Sequence, residues 1–364
     1  MKDYFENPEM VMPLDQVKGE VSWKSPSNIA LVKYWGKFGI QLPRNPSLSF
    51  SLKESYTQTS IHYQKARSIP VRSFFFNNTP QEKFANRIWK YIHSLEDIYP
   101  FLAELDLNIE TQNSFPHSAG IASSASAMSA MALCLVDLES KIYGNPKNET
   151  EFMKKASYLA RLGSGSAARS VYPGFSIWGM AKTIDESSDN KFAVPYNLNI
   201  HPNFVHLKDA ILIVDSGEKE VSSSAGHGLM NDHPFAEDRL LQANNHLKEL
   251  ADALHFGDKD TFIKVVESEA LSLHGLMMSS NPWFILMKPE SLEIIRKVKA
   301  FREQTGCFIC FTLDAGPNVH VIYSEENESE IVRFIDNDLK PLCHQSKVIF
   351  DEMGDGPKNL KNDK

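Results

Sequence analysis

Polar and apolar residues alternate with a period of two along Ser47-Leu-Ser-Phe-Ser-Leu52, which predicts a half-buried strand. Short apolar stretches at 29–34, 71–76, 105–111 and 175–180 predict further strands. The run Ala210-Ile-Leu-Ile-Val214 has the uniform apolarity of a fully buried one. Helical spacing occupies 81–95, an alanine-rich run reaching through Leu135, and 150–162 with Thr150 as cap and Gly163 as stop. It returns at 234–256 before Gly257, at 258–277, at 289–305 before Gly306, and at 328–339. Strands at 307–313 and 319–323 flank a turn. Strands and helices interleave without a steady βαβ rhythm, which predicts an α+β chain. Polar residues gather at 185–190, and Pro195 and Pro202 follow. Two domains are therefore expected, 1–200 and 201–364. The first twenty residues, before Val21, and the polar stretch 351–364 read as loosely held ends.

Composition changes this picture little. At 364 residues the chain is long enough for two cores, and its 42% hydrophobic and 23% charged content is that of a soluble globular protein. The net charge of −8 comes without any basic block, so nucleic acid is not an expected partner. A small anionic substrate stays compatible, because local cations can outweigh a distant negative balance. The four cysteines make no disulfide framework. Cys307-Phe-Ile-Cys310 has a redox or zinc spacing, but it lies in a strand-like run without a second such pair, so core packing is the better reading. No stretch has the length of a membrane span and the N-terminus is too polar for a signal peptide. A cytoplasmic location and no membrane partner are expected.

Candidate chemistry lies in four islands. Phe115-Pro-His-Ser-Ala-Gly-Ile-Ala-Ser-Ser-Ala125 places small and hydroxyl residues at the mouth of the alanine-rich helix. There free N–H groups and a partial positive charge suit a phosphate, although serine N-caps on a tightly packed helix would look the same. Pro26-Ser-Asn-Ile-Ala-Leu-Val-Lys-Tyr-Trp-Gly-Lys37 sets two lysines four apart at a strand end; alone, it reads as a solvated edge. Arg161-Leu-Gly-Ser-Gly-Ser-Ala-Ala-Arg-Ser170 exposes N–H and hydroxyl donors beside a guanidinium that suits a carboxylate or phosphate, or else forms a flexible loop. Thr312-Leu-Asp-Ala-Gly-Pro-Asn318 carries an aspartate out of a strand into a Gly-Pro turn. That place suits acid–base work, but a turn-capping aspartate is the commoner case.

Together and in this order, the islands resemble the diphosphomevalonate decarboxylase family, within the superfamily of galactokinase, homoserine kinase, mevalonate kinase and phosphomevalonate kinase. The resemblance runs from about Val21 past Tyr323. The Lys-Tyr-Trp-Gly-Lys and Asp-Ala-Gly-Pro-Asn motifs are specific to the decarboxylase branch, whereas the serine-rich loop is shared with the kinases. The resemblance implies a two-domain small-molecule-kinase-like fold, with a ribosomal-protein-S5-like N-terminal ATP-binding domain and a ferredoxin-like C-terminal domain. It also implies ATP and Mg²⁺ as cofactors, mevalonate 5-diphosphate as substrate, and a homodimer.

The resemblance further implies residue roles. Asp314 would accept or orient the proton of the substrate's C3 hydroxyl, Lys33 would steady that carboxylate, and Arg169 would hold the C1 carboxylate. Tyr34, Lys37, Ser164 and Ser223 would hold the diphosphate and carboxylate region. Asn113, Gly120, Ala122, Ser123 and Ser124 would surround ATP, with Ser124 nearest the γ-phosphate or Mg²⁺. Two positions depart from the pattern. His227 follows Gly226 where the family often has methionine; it could touch the substrate's distal phosphate or sit at a helix start, and the structural reading is preferred. Lys83 stands near where some relatives carry a diphosphate arginine, and reads equally as a surface lysine. Rival functions are a mevalonate 5-phosphate decarboxylase, a small-molecule kinase that stops at the 3-phospho product, and a non-catalytic binding protein.

Overall fold

The structure is a computed structural model that describes residues 12–116, 121–144, 148–217 and 223–361, with the backbone alone at Ser223 and Ser224. The first layer holds β1 (Lys18–Ala30), β2 (Lys37–Phe38), β3 (Leu42–Pro43), β4 (Ser47–Lys65), β5 (Arg72–Phe76), β6 (Thr79–Pro80), α1 (Glu82–Ser94), β7 (Leu105–Asn113), α2 (Ser123–Tyr143), α3 (Glu149–Gly163), β8 (Phe175–Trp178) and β9 (Ala193–Pro195). The second holds β10 (Leu207–Leu212), α4 (Ser223–Gly228), α5 (Ala236–Phe256), α6 (Lys259–Met278), α7 (Pro289–Thr305), β11 (Ile309–Thr312), β12 (Val319–Ser324), α8 (Glu328–Phe334) and β13 (Val348–Glu352). Last, β14 (Lys358–Asn359) returns to the first sheet and pairs with β1.

The large sheet runs β14-β1-β4-β7-β5-β6, with β8 on the opening of β4 and β9 beside β8. Among the described residues only β5 and β7 pair in parallel. The second sheet, β11-β12-β10-β13, is antiparallel, and its helices join β10 to β11 and β12 to β13. Counted within that sheet, the chain order is βαββαβ and the spatial order 4-1-3-2, the ferredoxin-like arrangement. One apolar core joins the layers, because Ile29 of β1 and Leu133 of α2 share it with Leu207 of β10, Leu250 of α5 and Phe262 of α6.

β1 and β4 are much longer than their apolar segments. Pairing from Lys18–Gln64 to Pro26–Tyr56 lies in a region rich in serine and threonine. Those hydroxyls are buried because α2, rich in alanine and serine, comes close enough to bond them. Ser25 meets Ser129 at 2.6 Å, and Thr57 meets Ser126 at 2.7 Å. The strand expected at 29–34 ends at Ala30, and the next residues leave the sheet. β10 spans Leu207–Leu212 rather than 210–214. α3 is capped by Asn148, whose side chain accepts from Glu151 N–H, and not by Thr150.

Neither described end is loose. Val17 is buried, and β1 is already paired at Lys18. Asp351 is 5% exposed, and its carboxylate accepts N–H bonds from Lys53, Glu54 and Ser55 at 2.8–2.9 Å. Those donors lie where β4 bulges away from β1, so the aspartate supplies acceptors that the strand ladder does not. Polarity at 351–361 thus reflects a hydrogen-bonding duty, not fraying.

Candidate active site

Leaving β1 after Ala30, the chain carries Lys33 and Tyr34 along the boundary between the layers. From the other side, the strand β11 delivers Asp314 two residues beyond its end. Lys33 Nζ meets Asp314 Oδ1 at 2.9 Å, with the lysine side chain 2% exposed and the aspartate 29%. At an effective dielectric near 20, a pair at this separation gains about 6 kcal/mol before desolvation is subtracted. The Gly-Pro turn holds Asp314 through its backbone: Gly316 N–H bonds the Asp314 carbonyl at 2.7 Å. Asn318 then ties the turn to Asp215 by two bonds.

Arg169 completes the trio. It is buried on the short helical stretch Gly165–Val171, where Nε donates to Asn28 Oδ1 at 3.3 Å and Nη1 donates to Ser47 Oγ. Burial pushes the guanidinium down to about 10, partly offset by Asp314, so it stays charged at neutral pH. Two of its nitrogens are tied to the first sheet. This fixes the plane of the fork and leaves Nη2 for a ligand.

Lys33, Asp314 and Arg169 line one cavity of about 730 Å³. Tyr34, Lys37, Asn113, Ala122, Ser123, Ser124 and Ser164 line it as well. Ser124 Oγ and Ser164 Oγ lie 3.3 Å apart, so the phosphate-loop helix α2 and the Gly-Ser island meet there. Ala122, just before α2, has φ +42°, a left-handed conformation that a non-glycine residue holds only under local constraint. Gly120 lies outside the described residues, and the side chain of Ser223 is likewise not described. The Tyr34 hydroxyl is buried at the cavity wall without a hydrogen-bond partner among the described residues. Burial raises the phenol well above its usual pKa, so it is a neutral donor.

The two departing positions also line the cavity. His227 stands inside α4, its ring 4.3 Å from Tyr34 and 4.8 Å from Trp35, and its Nδ1 accepts Gly36 N–H at 3.0 Å. It sits in the last turn of that helix, not at its start, where it bonds the backbone beyond Trp35 and keeps a face on the site. Lys83 is exposed on α1 at the cavity, and one turn later α1 adds Arg87, which sequence reasoning missed. The signal was the four-residue spacing, which puts both cations on one helix face.

Phe74, Phe84, Ile88, Met128 and Met131 make an apolar part of the same cavity that a nucleobase could occupy. The start of α2, its serines and the nearby cations fit a nucleoside triphosphate's phosphates. Among the described residues no group of three His, Cys, Asp or Glu side chains could hold a metal. A magnesium ion here would thus be carried mainly by phosphate oxygens and water, as is usual for that ion.

The layers, their shared cleft and the phosphate-ready helix start define the class: a two-domain protein of the small-molecule-kinase-like fold. The description "Diphosphomevalonate decarboxylase-like N-terminal domain" matches residues 25–190, and "Mevalonate 5-diphosphate decarboxylase C-terminal domain" matches 210–362. The chain belongs to the diphosphomevalonate decarboxylase family. A diphosphomevalonate decarboxylase of Gibberella zeae is 30% identical over 329 residues, covering 85% of this chain and 82% of that relative. The mevalonate diphosphate decarboxylase of Staphylococcus aureus superposes with a TM-score of 0.80 at 27% identity, over 96% of this chain and 100% of that one. A structure described as MDDEF in complex with MVAPP, AMPPCP and magnesium gives 0.78 at 27% identity, over 94% and 99%. No helix among the described residues is long and apolar enough to cross a membrane.

Proposed function

We propose that the chain catalyses the ATP-dependent decarboxylation of mevalonate 5-diphosphate to isopentenyl diphosphate, with ADP, phosphate and CO2 as the other products. The observation that carries this reading is the convergence of Asp314, Lys33 and Arg169 on one cavity that also receives the start of α2. The substrate has no carbonyl placed to accept the electrons of the breaking C1–C2 bond, and hydroxide leaves C3 badly. Moving the γ-phosphoryl group to the C3 oxygen turns it into a leaving group. Phosphate then departs with the C3–O electrons while the C1–C2 electrons form the alkene and CO2 is released.

Each residue has a part in that sequence. Asp314, held toward Lys33, accepts or orients the C3 hydroxyl proton, a contribution of about 10²–10⁴-fold. Arg169 presents Nη2 to the C1 carboxylate and orients the bond that breaks. Tyr34, Lys37 and Ser164, with Ser223, hold the diphosphate and carboxylate region, and Arg87 and Lys83 add charge at the cavity rim. Asn113, Gly120, Ala122, Ser123 and Ser124 surround ATP, and Ser124 is the hydroxyl assigned to the magnesium-bearing phosphates. The ion, when bound, neutralises charge on the transferring group. Residues 1–200 serve as the nucleotide domain, to whose sheet β14 returns, and 201–364 otherwise as the domain that carries the catalytic aspartate. The cytoplasmic location is supported by the polar N-terminus and the lack of an apolar span in the sequence, and the homodimer by the family resemblance, which light scattering tests.

The test is an assay of ADP and CO2 release with Mg-ATP and mevalonate 5-diphosphate or 5-phosphate. Release of both products with the diphosphate is expected. Equal or better kcat/KM on the monophosphate, or ADP without CO2, would overturn the proposal.

A further inference from the structure

Lys33 lies just past β1, yet its peptide is held from both layers. Its N–H donates to Glu269 Oε2 at 2.7 Å, and its carbonyl accepts from Arg239 Nη2 at 3.1 Å and from Asn45 Nδ2, on its own layer, at 3.0 Å. Arg239 also bonds both Glu269 oxygens at 2.6 Å, and His246 Nδ1 lies 2.6 Å from Oε1. Glu269 and Arg239 are no more than 1% exposed. Burial alone would raise the glutamate's pKa, but the Arg239 bonds overcome it and hold the group down to about 2. Five residues along α6, His274 Nε2 lies 3.1 Å from the backbone carbonyl of Asp314. A carbonyl only accepts, so Nε2 carries the hydrogen. Burial pushes this imidazole down to about 4, so it is neutral at pH 7.

Buried ion pairs are poor stabilisers compared with apolar side chains of the same volume. The Arg239–Glu269–His246 cluster is therefore better explained by what it grips. We propose that Glu269 and His274 are positioning residues, through which α6 sets Lys33 and Asp314 against one another. Neither side chain reaches the reacting atoms. One fixes the lysine's peptide, the other fixes the aspartate's carbonyl, and the helix between them sets the spacing. A displacement on the order of 1 Å at such a pair can cost about 10²-fold in rate. The inference rests on the decarboxylase reading, since it supposes that the Lys33–Asp314 pair acts in the chemical step.

The test compares Glu269→Gln, His274→Leu and His274→Gln with the unaltered full-length chain. Steady-state kinetics of ADP and CO2 release are measured beside the affinity for a non-hydrolysable ATP analogue and the melting temperature. Glutamine at 274 can present its Nε2 to the same carbonyl, whereas leucine cannot. His274→Leu and Glu269→Gln are expected to lower kcat at least tenfold, with KM and analogue affinity changed less than threefold. His274→Gln is expected to stay within threefold of the unaltered chain. Equal losses in both His274 variants would make the residue a packing element and overturn the proposal. So would kcat within threefold in His274→Leu, or a loss confined to KM. Should Glu269→Gln fail to fold, the His274 pair decides the matter. An unaltered chain that releases ADP but no CO2 refutes the decarboxylase reading instead, and ADP release then measures the positioning effect in the same three variants.

Discussion

Two buried histidines make the acid stability of this chain calculable. His227 accepts Gly36 N–H on Nδ1, so protonation breaks that bond, and burial together with nearby Lys37 pushes its pKa down to about 3. His274 is pushed down to about 4, chiefly by burial; Lys33 adds to the depression while the Asp314 carbonyl and carboxylate oppose it. In the unfolded chain both return to the ordinary value near 6.5. Folded pKa values below the unfolded ones mean that the unfolded state binds more protons, so stability is full above pH 6.5 and is lost as pH falls toward 4. Between pH 7 and pH 5 each group costs about 2 kcal/mol, and the pair about 4 kcal/mol. The effect should appear in urea unfolding at the two pH values and one ionic strength. His227→Asn keeps an acceptor for Gly36, and His274→Gln keeps a donor for Asp314. The double variant gives up the His227 ring contacts at any pH, but should lose about 4 kcal/mol less than the parent on going from pH 7 to pH 5. If it loses as much as the parent, these histidines are not buried neutral and the reasoning fails. Glu269, held down to about 2, adds a separate loss at lower pH, as the medium falls from about 4.5 toward 2.

Asp314→Asn should stop phosphoryl transfer, lowering ADP release by about 10²–10⁴-fold while ATP-analogue affinity stays within threefold; near-normal turnover would remove the aspartate from its role. Arg169→Lys replaces a fixed fork with a point charge and cannot keep both the Asn28 and Ser47 bonds. It should change KM or kcat by more than about threefold, roughly 0.6 kcal/mol, and steady-state kinetics decide this. Tyr34→Phe deletes a buried hydroxyl without a protein partner among the described residues. Removing it should hold or raise the melting temperature, by about 2–4 °C for each kcal/mol recovered, while KM for the diphosphate rises about tenfold. A lower melting temperature with unchanged KM would show the hydroxyl to be structural.

The helices were legible because their limits are written locally: Gly257 and Gly306 close α5 and α7 in the left-handed conformation that sequence reading assigns to them. The long strands were half legible. Serine and threonine along β1 and β4 are buried only because α2 offers hydroxyls and small side chains, a fact of tertiary packing absent from any local window. Asp351 misled for a related reason: a carboxylate that serves three N–H groups of a distant bulge looks, in sequence, like a solvated tail. At the site, glycine-rich motifs named Lys33, Asp314, Arg169 and the serines of α2. Arg87 could have been found from its spacing to Lys83, but Glu269 and His274 were silent because each sits on an ordinary helix, and only the fold gives that helix face something to touch.

The distribution of charge in the cavity bears on which anion fills it. Among the described residues, five cations, Lys33, Lys37, Lys83, Arg87 and Arg169, line it with Asp314 as the single carboxylate, in a chain whose overall charge is −8. Lys33 already has Asp314 as its partner. Among the described residues Lys37 has no carboxylate partner: its ammonium bonds the neutral Gln41 side chain, and its pKa is lowered first by burial and then by the positive charge of Arg87. Two cations that repel each other at the rim cost stability in the free chain, and a ligand repays that cost in proportion to the charge it brings between them. A diphosphate spreads its charge over two phosphoryl groups and can meet Lys37 and Arg87 together, whereas a monophosphate must choose or bridge. This favours the longer anion without appeal to any single contact.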